Sequence, residues 1–144
     1  RKNENLYQFV KEAIAFRRRH PILHNKEKFQ GNDYRSCGFP DISFHGQRAW
    51  FCNMENTCRS VGIMYCGAYV DHEPAKFLYV AYNFHWESQE FALPNVPKEV
   101  NWYLAADTSD TEGIGFLPEG KEVLLKERRT FEVKPRRILI LIGK

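Results

Sequence analysis

The feature that most constrains this chain is the stretch beginning at Asp41, where short runs of alternating apolar residues are cut apart by turn residues and never adopt helical spacing. Ile42 to His45 alternates and ends at Gly46-Gln47. Arg59 to Ala68 sets Val61, Ile63 and Tyr65 on one face, and Lys76 to Phe84 does the same with Leu78, Val80, Tyr82 and Phe84. Gln89 to Leu93 is stopped by Pro94, Asn101 to Asp107 carries Trp102, Leu104 and Ala106, Phe131 to Val133 is brief, and Arg136 to Ile142 closes the series. Strands with turns and no helices between them predict an antiparallel sandwich or barrel rather than a parallel α/β sheet. The last segment, Ile138 to Ile142, is apolar on both faces, which predicts an interior strand covered on both sides.

One helix precedes these strands. Leu6, Phe9, Val10, Ala13, Ile14 and Arg17 recur every three or four residues, predicting a helix over residues 4 to 19. Arg17, Arg18 and Arg19 place positive charge at its carbonyl end, and Pro21 stops it. Between helix and strands, residues 25–40 hold Gly31, Asn32, Asp33, Gly38 and Pro40 and read as an irregular connection. The expected organisation is a helix and exit segment over residues 1–24, this connection, and a β-domain over residues 41–144.

Charge and composition exclude some roles. An excess of only +3, scattered over three arginine clusters, is not the dense basic face of a nucleic-acid binder. No apolar run approaches the length needed to cross a bilayer. Cys37, Cys52, Cys58 and Cys66 are unevenly spaced and form no Cys-x-x-Cys pair, so they read as reduced thiols of a cytoplasmic protein rather than as a metal site.

The order of several segments resembles the C-terminal end of isoamylase-type debranching enzymes in the α-amylase superfamily of glycoside hydrolases. They are Phe16 to Leu23, Asp41 to Gly46, Arg59 to Ile63, Tyr79 to Trp86, Phe91 to Pro94, Trp102 to Thr108 and Arg137 to Ile142. The resemblance implies an antiparallel Greek-key β-sandwich preceded by the last helix of a catalytic (β/α)₈ barrel. It further implies a parent enzyme that hydrolyses α-1,6 branch linkages in glycogen or starch, and no cofactor. The family's three catalytic carboxylates lie on earlier barrel strands, so no catalytic residue is expected here. Ala49 to Cys58 and Asp110 to Glu119 depart from the family's pattern.

The residues themselves point the same way. A retaining glycosidase needs two carboxyl groups about 5 Å apart. Asp41, Asp71, Asp107, Asp110 and Glu112 all sit beside turn signals, where a carboxylate commonly bonds the local backbone. Nothing in the spacing pairs Cys58 or Cys66 with His72 or His85 as a nucleophile and base, and His45 and His85 read as gap-filling histidines. Because sugar rings stack on aromatic faces, Trp50 and Trp86 are the candidate α-glucan contacts, while Trp102 shares parity with Leu104 and is expected in the core. The leading expectation is a noncatalytic module that packs on its barrel; the rivals are an independent carbohydrate-binding module and a protein-interaction sandwich. An isolated chain is expected to fold its helix back onto the sandwich or to self-associate through it.

Overall fold

The computed structural model describes residues 2–52, 59–108 and 115–144. Among the described residues one α-helix, α1 (Lys2–Arg19), leads through a 3-10 turn at Pro21–His24 and an irregular connection into eight strands. These are β1 (Ile42–His45), β2 (Ser60–Cys66), β3 (Phe77–Asn83), β4 (Gln89–Ala92), β5 (Trp102–Asp107), β6 (Val123–Leu124), β7 (Thr130–Val133) and β8 (Arg137–Gly143). They form a six-stranded sheet in the order β1-β2-β3-β8-β5-β6 and a two-stranded sheet of β4 and β7, with every pairing antiparallel. The last strand returns between β3 and β5, a non-sequential neighbour relation of the Greek-key kind. The expected mainly β sandwich with one leading helix is the fold observed.

Strand parity divides the six-stranded sheet into two faces. The inner face, from Met64, Cys66, Phe77, Tyr79, Trp102, Leu139 and Leu141, packs on Phe91 of β4 and Val133 of β7. The outer face carries Leu78 and Ile142, which pack with Phe16, Ile22, Ala75 and Phe116 under α1. Ile142 and Leu141 therefore point into opposite cores, which is why β8 is apolar on both sides.

One expectation of parity needs correction, on β5, and on β2 the face shared by Val61, Ile63 and Tyr65 proves to be the less buried one. On β2 the more buried residues are Gly62, Met64 and Cys66, while Val61, Ile63 and Tyr65 lie half-buried on the outer face. A glycine hides its parity in a sequence, and here it is needed: a Cβ at Gly62 would overlap the Tyr79 hydroxyl. On β5 a register shift between Leu104 and Ala106 sends Trp102 and Leu104 inward but Ala106 into the helix-side core. Two elements were also unforeseen, the 3-10 turn at Gly67–Tyr69 and the two-residue, exposed β6.

Side chains bonded to backbone fasten the irregular parts. The buried Asp41 carboxylate accepts from the N–H groups of Gln30, Gly31 and Ile42. Asp33 accepts from the N–H groups of Cys37 and Gly38 and from the Tyr69 hydroxyl. At the exit of α1, the buried His20 ring lies 2.5 Å from Glu73, whose carboxylate also accepts from the N–H groups of Ile22 and Ala75. These contacts tie the helix and the connection to the sandwich.

Candidate carbohydrate-contact site

The register places the two candidate tryptophans at the same end of the six-stranded sheet. β1 ends where His45 faces Gly62, and Ser60, which opens β2, faces Asn83, which ends β3. Trp50 follows β1 and Trp86 follows β3, so both stand on loops leaving that end. Trp50 is 49% exposed and Trp86 61%, and Phe51 and Phe84 beside them are also exposed. Trp102 is in the inner core at 1% exposure, as its parity predicts.

Trp50 is held from below by His45. Its backbone has a φ of 66°, a left-handed conformation unusual for a large side chain. Its N–H donates to His45 Nδ1 at 2.8 Å, and the indole meets the imidazole edge-on at 4.7 Å between centroids. Because Nδ1 accepts, the imidazole proton is on Nε2, which donates to Ser43 Oγ at 2.7 Å. Burial pushes the His45 pKa down to about 4, so the ring is neutral at pH 7 and keeps this arrangement. His45 is a fully satisfied inner-face residue, and its role in setting Trp50 was not visible in the sequence.

Trp86 is braced differently. The His85 ring packs on it at 4.5 Å, and the Arg59 guanidinium lies 5.5 Å from the indole centroid. Nearby, the buried Asn83 amide donates to the carbonyls of Glu87, Val133 and Lys134, fixing the start of this loop to the second sheet. Two indoles on separately braced loops form surfaces on which the apolar face of a sugar can stack.

Asp41 is used by backbone N–H groups, and Asp71 is exposed in a turn. Asp107 lies half-buried at the end of β5, and Asp110 and Glu112 fall outside the described residues, as does Cys58. Burial pushes the Cys66 thiol up to about 11, so it holds no standing thiolate at neutral pH for a catalytic role. His85 Nδ1 accepts from the Glu87 N–H, and His45 is committed as described.

The profile of the family described as isoamylase, C-terminal, matches residues 43–142. Isoamylases of Pseudomonas amyloderamosa and of Pseudomonas sp. (strain SMP1) are each 30% identical over 146 aligned positions, covering 97% of this chain. The chain spans only 18% of the length of these relatives. A solved pullulanase from Bacillus acidopullulyticus superposes with a TM-score of 0.58 at 18% identity, covering 96% of this chain and 14% of that one, which supports the fold. The profile runs from the second residue of β1 through nearly all of β8, so the chain belongs to the isoamylase C-terminal domain family.

Proposed function

We propose that this chain is the noncatalytic C-terminal module of a larger glycoside hydrolase that cuts α-1,6 branch linkages in glycogen or starch, and that it works by packing against the catalytic barrel. The observation that carries the reading is the outer row of α1. Phe9, Ala13 and Phe16 pack against the sandwich, whereas Leu6, Tyr7, Val10 and Ile14 remain exposed, at 63%, 68%, 46% and 48%. A helix apolar on more than the side it buries is suited to lie between two bodies. The reading makes residues 1–24 the last barrel helix and its exit. It places the parent in the cytoplasm, a compartment that would keep Cys37, Cys52 and Cys66 as thiols.

The test is made in the parent enzyme. Replacing Leu6, Val10 and Ile14 together by Lys should shorten the half-life of α-1,6 hydrolysis on heating, while this chain produced alone stays folded. An unchanged half-life would remove the packing role.

A second reading, binding of α-glucan, is favoured by the two exposed indoles at one end of the sheet. Calorimetric titration with maltoheptaose separates the two. Saturable binding that is lost in Trp50→Ala or Trp86→Ala supports a carbohydrate-binding module, and absence of heat at millimolar sugar rejects it.

A further inference from the structure

Two of the cysteines meet in one cavity. Cys37 lies in the irregular connection and is exposed, whereas Cys66 ends β2 and is buried. Both line a cavity of about 380 Å³ together with Phe39, Phe77 and Val100. Cys37 lies near enough to act on the Cys66 thiol, which burial first and then this neighbour push up. Cys37 Sγ also stands 3.3 Å from the Phe39 carbonyl and 3.4 Å from the Tyr69 hydroxyl.

This is not a chance approach of a loose loop. Asp33 accepts from the N–H of Cys37 at 2.9 Å and of Gly38 at 2.8 Å, while the Tyr69 hydroxyl donates to the same carboxylate at 2.7 Å. The Asp33 carboxyl is held below the usual carboxylate range, first by that tyrosine, so the anchor is charged at neutral pH. Tyr69 belongs to the 3-10 turn directly after Cys66. One carboxylate thus fixes the backbone on both sides of the thiol pair.

The two sulfurs differ in access, and this sets the order of any reaction. Cys37 is exposed to a reagent in solvent, whereas Cys66 is buried at the cavity wall.

We propose that Cys37 and Cys66 form a thiol–disulfide site, in which a small disulfide such as oxidised glutathione reacts at Cys37 and Cys66 resolves the product into an internal bond. In the first step the Cys37 thiol gives its proton to solvent, and its sulfur attacks one sulfur of the small disulfide. The S–S bond breaks, and one half leaves as a thiolate that takes up a proton. In the second step the Cys66 sulfur, also losing its proton, attacks the Cys37 sulfur of the mixed disulfide and expels the other half as a thiol. Two protein thiols are oxidised and one small disulfide is reduced to two thiols. The new bond fastens the connection between α1 and the sandwich to the end of β2 and closes a loop that limits the freedom of the unfolded chain.

The experiment treats the whole chain with oxidised glutathione and maps its peptides without reduction. The expected result is a Cys37–Cys66 linked peptide, with a thermal midpoint raised on the order of 10 °C and restored by dithiothreitol. Cys66→Ala should trap the glutathione adduct on Cys37, and Cys37→Ser should leave Cys66 unmodified. If Cys66→Ala fails to fold, the peptide map of the unsubstituted chain together with exposed Cys37→Ser decides. A persistent adduct on Cys37 beside a free Cys66 in the unsubstituted chain would overturn the proposal, as would a link from Cys37 to Cys52 or Cys58.

Discussion

The two faces of the six-stranded sheet are finished to different degrees. On the inner face Tyr79, Phe91 and Trp102 are at most 1% exposed, closed in by the second sheet. On the outer face α1 covers Leu78, Ala105, Ala106 and Ile142, yet Val61, Ile63, Tyr82 and Ile138 stay half-buried, and Phe44 and Phe84 are exposed at 44% and 58%. At Tyr79, Phe91 and Trp102 the inner face is a core closed by this chain's own second sheet. The outer face has the character of an interior shared with something else. Truncating one aromatic on each side should break the symmetry. Trp102→Ala is expected to cost about 3–5 kcal/mol in urea unfolding, because the cavity left in a closed core relaxes little. Phe84→Ala should change the same midpoint by less than about 0.5 kcal/mol. Equal losses at the two sites would show that the outer face is already closed.

The inner face also has one ionisable weak point. His45 lies on it in edge strand β1, with Ser43 and Trp50 as its hydrogen-bond partners. Its folded pKa of about 4 is below the ordinary histidine value of 6.5, so the unfolded chain binds the extra proton between those two values. The stability due to the neutral ring is therefore present above pH 6.5 and lost as the pH falls toward 4. The whole loss is bounded by about 3 kcal/mol, from 1.36 kcal/mol per pKa unit, less whatever water screens near the edge. Urea unfolding across this range should show the slope, and His45→Gln should flatten it. A slope unchanged in the variant would assign the acid sensitivity elsewhere. Trp50 fluorescence of the folded chain should shift as the pH passes through about 4, because a protonated Nδ1 cannot accept from the Trp50 N–H.

Which of these features the sequence discloses follows from the range of the interaction behind each. Strand positions are local, and the alternation at Ile42–His45 and Phe77–Asn83 marks them directly. The face that is buried most is not local. Gly62 has no side chain to advertise its parity, and the register shift in β5 reverses parity with no glycine or proline at the shift. Trp102 is legible as core because it shares parity with Leu104, and Trp50 as exposed because it stands among turn residues. The support under Trp50 is not legible, since His45 reads as one more half-buried histidine until Trp50 is seen to curl back with positive φ. The partnership of Glu73 with His20, 53 residues apart, and that of Asp33 with Tyr69, 36 apart, join segments that carry no common motif. Asp33 followed by Gly38 was the one cue to a carboxylate-closed turn.

A small effect per site is expected on the solvent side of α1, the helix that covers the outer face. Its apolar residues form one broad stripe by spacing, but the fold divides them into adjacent rows. Phe9 and Phe16 contact the Phe116 ring at 5.5 and 5.3 Å, and Gly115 lets Phe9 come close because a Cβ there would collide with its ring. The large rings bury the most area per residue, so the phenylalanine row turns inward and the aliphatic row of Leu6, Val10 and Ile14 is left outside. Replacing Leu6, Val10 and Ile14 by Lys should therefore alter the unfolding free energy of the isolated chain by no more than about 0.5 kcal/mol per site, since exposed positions lose little packing. Phe16→Lys should undock the helix at a cost several times larger, by placing a charge in the buried outer core. Sedimentation velocity adds the complementary readout: the unsubstituted chain should associate with rising concentration, and the triple variant should remain monomeric. Association that persists in the triple variant would mean that the exposed row is not the sticky surface, and the contrast between the two rows of α1 would lose its functional meaning.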